Sequence, residues 1–132
     1  MAAFAGFLTG REAAKYMTVR NEGSIFFTGA TASMRGGSGF SAFASAKFAL
    51  RAVSQSMARE LGPQGIHVAH FIIDGAIDTA FIKENFPDRY ALKEKDGILQ
   101  PDAIADAYWF VHTQHRSAWT HELDLRPYME KF

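Results

Sequence analysis

Helical and strand-like periodicities take turns along this chain, and that alternation constrains its fold more than any single motif. Residues 2–19 place Phe4, Phe7, Leu8, Ala14 and Met17 at helical intervals, with Arg11, Glu12 and Lys15 elsewhere on the surface, and Asn21-Glu22-Gly23 is a stop signal. Ser24–Thr28 is short, β-branched and aromatic, which reads as a buried strand. A Gly/Ser-rich loop over 30–40 leads into the strongest helix, Ser41–Leu61, closed by Gly62-Pro63. Ile66–Ile73 is apolar enough to be buried on both faces, and Asp74-Gly75 ends it. Pro101 opens a helix running to about Thr113, with Ile104, Ala105, Tyr108 and Val111 inward, and Thr120–Leu125 is the last strand. Helix–strand, three times over, predicts an α/β protein: a parallel sheet of about three strands with flanking helices and right-handed crossovers. The mixed-charge stretch 80–96, interrupted by Pro87, reads as a mobile excursion.

At 132 residues the chain has the size of a single domain, and 48% apolar against 21% charged residues exclude a disordered chain. Lys plus Arg equals Asp plus Glu, 14 each, so no basic field recommends nucleic acid or an anionic membrane. With no cysteine there is no disulfide scaffold, thiol catalysis or cysteine-held metal. The longest apolar run, Ala2–Leu8, falls far short of the about 18 residues of a membrane span, and no basic residues precede it as in a secretory leader. A cytoplasmic protein is the expectation.

Several side chains invite a functional reading and must be weighed against a structural one. Thr28–Gly36 follows a strand and precedes a helix, the context of a dinucleotide-binding loop. Yet Ser33 and Arg35 stand where backbone approach needs glycine, the helix begins only at Ser41, and the acid ending the next strand, Asp74, lies far beyond the about 20 residues expected. Lys47 alone reads as a partly buried helix lysine, and Phe43 as core on the Leu50/Val53/Met57 stripe. A second face of the same helix, Ala44, Phe48, Ala52 and Ser56, suggests a partner contact. His112 and His115 have a metal-sharing spacing but no evident third ligand, and His67 and His70 point to opposite faces of a strand. Glu122 and Asp124 share a strand face, where solvent or subunit contact is the plainer account. Phe43, Phe81 and Phe86 would line an apolar ligand pocket if the excursion at 80–96 acted as its lid.

Three stretches carry a resemblance: Gly23-Ser24-Ile25-Phe26-Phe27-Thr28-Gly29-Ala30-Thr31-Ala32-Ser33, then Phe43-Ala44-Ser45-Ala46-Lys47, then Met57–Val68 with its Glu60-Leu61-Gly62-Pro63 turn. Together they resemble the C-terminal half of the short-chain dehydrogenase/reductase family, whose sheet is doubly wound and Rossmann-like. The resemblance implies hydride transfer between a nicotinamide and a carbonyl or alcohol. In that chemistry a tyrosine phenol gives the proton, a lysine one helical turn later lowers its pKa, a serine polarises the substrate oxygen, and an asparagine supports the relay. Lys47 holds the lysine position, but the tyrosine position is Phe43, the serine position is Ala30, with Thr31 and Ser33 beside it, and the asparagine position falls near Ala2. Asp74-Gly75-Ala76-Ile77-Asp78-Thr79 resembles the loop that touches the nicotinamide, with Asp74 replacing a proline and Asp78 and Thr79 as vestigial cofactor contacts.

The family's glycine-rich phosphate turn belongs to strands upstream of this sequence. The resemblance therefore implies one truncated domain over 1–132 with no cofactor of its own, catalytically incompetent alone. Completed by upstream sequence or a partner chain, it would be an NAD(P)-dependent oxidoreductase. It also implies that Ile25–Thr28 loses a neighbouring strand, so that its edge, with helix 41–61, would make a homo-oligomer, a dimer or higher.

Overall fold

The computed structural model describes residues 1–131 and realises the alternation. Helix α1 (Ala2–Arg20) leads to strand β1 (Gly23–Ala30), α2 (Ser41–Leu61) to β2 (Ile66–Ile73), and α5 (Pro101–His112) to β3 (Glu122–Leu125). Two short helices, α3 (Ala80–Asn85) and α4 (Pro87–Tyr90), fill the connection after β2. The strands form one parallel sheet in the order β1-β2-β3, with Gly23 opposite Ile66 and His70 opposite Glu122 at the starts of the two ladders. β1 is thus an edge, as the resemblance implies. No helix among the described residues is long and apolar enough to cross a membrane.

Alternation along the strands sends successive side chains to two separate cores. Ile25, Phe27, Ile66 and Val68 meet Leu50, Met57 and Leu61 of α2, with Met17 of α1 packed alongside. On the opposite face Ala69, Phe71 and Ile73 meet Val111 and Tyr108 of α5, and the Phe71 and Tyr108 rings stack 3.7 Å apart. Every residue of β2 is buried, which is why its sequence shows no polar alternation. The register begins at a tight turn: Gly65 takes φ 83°, a conformation that L side chains rarely adopt, and abuts the backbone of Asn21 just ahead of β1.

Several expectations are corrected. On α1, Ala14 and Met17 pack against the core, but Phe4 is 69% exposed and Phe7 43%. The inward face of α1 around Gly10 is small because α2 and β1 press close: a Cβ on Gly10 would lie 2.8 Å from Met57 Sδ and 3.0 Å from Phe27 Cζ. Phe43, read as core, is 48% exposed; on the first turn of α2 it is the adjacent Ala44 that turns inward, next to the turn at Thr31–Ser33. The buried stripe of α2 is Ala44, Leu50, Ser54, Met57 and Leu61, whereas Phe48, Ala52 and Ser56 stay exposed. On α5, Ala105 faces out while Ile104, Tyr108 and Val111 pack in.

The stretch 80–96 is ordered secondary structure rather than an irregular excursion, with α3, α4 and a 3-10 stretch at Ala91–Lys95, anchored where Ile77 bridges Leu99. Thr79 caps α3 by accepting the Ile82 N–H at 3.3 Å. Phe81 and Phe86 meet edge to face at 6.1 Å, and both are exposed instead of closing a pocket with Phe43. At the far margin β3 is only four residues long and half-buried throughout, and buried Pro127 follows it closely.

Candidate functional site

In a parallel sheet the chemistry gathers beyond the carboxyl ends of the strands, where the connections leave open backbone groups. Here that end holds Thr28–Ala30 closing β1 with Thr31–Ser33 beyond it, Asp74–Thr79 after β2 and the first turns of α2. Lys47 reaches back from α2 to the end of β1 and donates from Nζ to the Thr28 carbonyl at 2.9 Å. Its ammonium lies 5.9 Å from the Phe43 ring centroid, one turn earlier, and partial burial lowers its pKa. Phe43 thus stands beside Lys47, as the spacing requires, and offers a ring face with no exchangeable proton.

The serine position is equally occupied. Ala30 donates its N–H to Ser33 Oγ at 3.0 Å, and Ser33 is fully buried. The neighbouring hydroxyl, Thr31 Oγ1, donates to Asp74 Oδ1 at 2.7 Å. Asp74 is 1% exposed and takes two further bonds from the Arg35 guanidinium at 3.1 Å each. Burial alone would raise the Asp74 pKa, but the Thr31 hydroxyl and Arg35 outweigh it and hold the carboxyl below the ordinary carboxylate range. Sequence reading placed Asp74 at a proline position and missed this clamp. The signal was available: an acid at the end of an all-apolar strand needs a cation, and Arg35 is the one charged residue in loop 30–40.

Asp78 and Thr79 lie on the loop after β2 and are both engaged. Lys93 Nζ sits 2.7 Å from Asp78 Oδ2, and that bond lowers the Asp78 pKa and raises that of Lys93. The Thr79 hydroxyl caps α3. Ala2 opens α1 and carries no functional group for a proton relay.

A second polar cluster lies under the sheet on the α2 side. Arg51 of α2 holds Glu122 of β3 in a two-point bond, Nε at 2.8 Å and Nη2 at 2.6 Å, and Glu122 accepts from His70 Nδ1 at 3.0 Å. Glu122 is therefore an internal anchor, which corrects the solvent or subunit reading; Asp124 pairs with Arg126. Burial lowers the His70 pKa more than Glu122 raises it, so the ring is neutral, with Nδ1–H donating and buried Nε2 unpartnered. Burial raises the Glu122 pKa, but Arg51 and then His70 bring it below the ordinary range. His67 faces the other way, stacks on Trp119 at 4.6 Å and bonds the Thr120 carbonyl at 2.7 Å, so the two strand histidines diverge as their spacing requires. His112 bonds Ser24 and His115 bonds Ser117, and no metal-holding cluster of three or more such residues occurs among the described residues.

Parallel strands in sequential order, crossover helices on both faces and a lysine reaching the end of β1 define an α/β protein of the doubly wound, Rossmann-like type. A model of the short chain dehydrogenase family matches residues 2–90. The chain is 31% identical over 110 residues to the (21S)-21-acetoxyl-apo-melianone synthase SDR of Melia azedarach, covering 77% of this chain and 40% of that protein. A short-chain dehydrogenase structure from Rhodopseudomonas palustris is 53% identical, with a TM-score of 0.74 over 97% of this chain and 49% of that one. A 7α-hydroxysteroid dehydrogenase complexed with NADH and 7-oxo glycochenodeoxycholic acid shares the fold at 22% identity, with a TM-score of 0.82 over 97% of this chain and 52% of that one. The chain belongs to the short-chain dehydrogenase family. It spans about half the length of these solved relatives and 40% of the curated one.

Proposed function

We propose that the described residues form a dehydrogenase-type half-domain that transfers no hydride by itself and self-associates through the β1 edge and the exposed face of α2. The observation that carries this reading is Phe43. A reduced carbonyl needs a proton at the developing alkoxide, and the ring one turn from Lys47 has none to give. Of the hydroxyls near the serine position, Thr31 donates to Asp74, and Ser33 is fully buried and accepts the Ala30 N–H.

The described residues also do not fit a dinucleotide. Gly29 gives no room for a phosphate to approach β1, because even a Cβ there would meet Ser33 Oγ and His70 Cε1 at 2.7 Å. Asp78 and Thr79 have local partners already. No step through a cofactor follows from these groups.

Self-association is supported by the eight-residue edge of β1 and by the exposed Phe43 and Phe48 of α2. The test is light scattering with hydrogen exchange on the β1 amides. A concentration-dependent dimer with protected β1 amides supports the reading, and a monomer whose β1 amides exchange freely refutes it.

A second reading is favoured by Lys47, which keeps the family's place and a single backbone partner. In that reading upstream sequence or a partner chain that carries the family's glycine-rich strands completes an NAD(P)-dependent carbonyl or alcohol oxidoreductase. Saturable NADH or NADPH binding by the chain alone would overturn the first reading. Carbonyl-dependent NAD(P)H oxidation by the completed protein would establish the second.

A further inference from the structure

The amine of Lys47 reaches the end of β1 with the Phe43 ring one helical turn before it. Lys47 is half-buried, and among the described residues its partners are the Thr28 carbonyl at 2.9 Å and the Phe43 ring at 5.9 Å. Neither carries negative charge. The other lysines with close partners differ: Lys15 lies 2.8 Å from Glu12, and Lys93 lies 2.7 Å from Asp78. Two carboxylates of the neighbouring clusters have other partners: Glu122 is held by Arg51, and Asp74 by Arg35 and Thr31. Tyr108, which bonds the Thr28 hydroxyl at 2.7 Å, stays protonated because burial raises its pKa. An ammonium with one neutral acceptor and incomplete hydration gives up its proton more readily than one in water or in an ion pair.

We infer that Lys47 Nζ is a nucleophilic amine that captures apolar aldehydes as an imine. Its half-buried stem, the exposed face of Phe43 and the lack of a carboxylate partner among the described residues mark the site. The lone pair of neutral Nζ attacks the aldehyde carbon, and one of the two Nζ protons passes through solvent to the carbonyl oxygen, giving a neutral carbinolamine. A proton from solvent then converts that hydroxyl to water, which leaves as the C=N bond forms, and the protonated imine keeps the second Nζ proton; no oxidant or bound coenzyme is needed. The Thr28 carbonyl, already 2.9 Å from Nζ, holds the nitrogen at the strand end and would accept the N–H of the protonated imine. An aliphatic tail has the Phe43 face to lie on. The inference needs no dinucleotide, so it stands or falls separately from the functional reading above.

The experiment treats the whole chain with hexanal and sodium cyanoborohydride, which traps imines as secondary amines, and follows each lysine by peptide mass spectrometry. At neutral pH Lys47 is expected to be alkylated several-fold faster than the other lysines, and its rate–pH profile should bend at lower pH than that of Lys93. Lys47→Arg retains a donor for Thr28 and should erase the fast peptide while leaving the slow ones unchanged. Circular dichroism confirms that the variant keeps the fold. Equal labelling of all lysines, or a Lys47 profile bending at or above that of Lys93, overturns the proposal.

Discussion

Gly29→Ala should be one of the most destabilising single-methyl changes available to this chain, although alanine suits a strand better than glycine. The added Cβ would lie 2.7 Å from both Ser33 Oγ and His70 Cε1, and closer still to His70 Nε2. Neither neighbour has freedom to retreat. His70 and Ser33 are 0% exposed, His70 is fixed by Glu122 at 3.0 Å, and Ser33 accepts the Ala30 N–H at 3.0 Å. Overpacking of this kind costs about 1–3 kcal/mol, and the pinned neighbours place it in the upper half. Relief of glycine's chain entropy offsets about 0.5–1 kcal/mol. A net loss of about 2 kcal/mol corresponds to a fall in Tm of about 6–10 °C for a chain of this size. The assay is urea denaturation at one fixed protein concentration, comparing the parent chain, Gly29→Ala, His70→Ala and the double variant. Removing the imidazole should relieve the clash, so the double variant should be more stable than the sum of the singles by at least about 1 kcal/mol. Additivity to within about 0.5 kcal/mol would refute the argument that His70 occupies the space in front of Gly29.

Three other outcomes are expected. Leu50→Ala, at a position 6% exposed between α1, α2 and β1, should cost about 2–5 kcal/mol, and a loss under 1 kcal/mol would mean α1 closes the cavity. Stability should fall as pH drops through about 6.5, because His67 and His70 have lowered pKa values and stay neutral in the fold while the unfolded chain protonates. A second loss should begin near pH 4 as the unfolded chain takes up protons that Glu122 and Asp74, both depressed, still refuse; midpoints measured at pH 8, 6 and 4 separate the two. Phe43→Tyr should place a phenol beside the Lys47 ammonium, so ultraviolet titration should find it ionising at lower pH than in Phe43→Tyr/Lys47→Met; identical curves would show that the two side chains do not communicate.

The order of elements was legible because β1 and β2 are short apolar runs, β3 alternates polar and apolar residues, and a helix such as α2 has its own stop, Gly62-Pro63 after Leu61. What periodicity could not convey was which side of a helix meets its neighbour. In α1 the large residues drew attention, yet the close approach of α2 selects Gly10, and Phe4 and Phe7 face outward. Phe43 fits the Leu50 stripe by spacing, but the first turn of α2 points Ala44 inward instead and leaves Phe43 48% exposed. At the site, the placement of Lys47 beside Phe43 needed only the helical repeat, whereas the Asp74–Arg35 clamp joins residues 39 apart and depends on how loop 30–40 folds back. Glu122 shows the same limit: a terminal strand suggested a surface role, and only the pairing of β2 with β3 brings it to His70.

The two margins of the sheet are not alike. β1 runs for eight residues along its open side, while β3 offers four and is cut off by the proline that follows. A strand arriving from another molecule can be accommodated along the first and has almost nothing to grip along the second. Copies joined β1 to β1 about a twofold axis would use up the one long open edge among the described residues, so growth would stop at a closed pair instead of continuing as a filament.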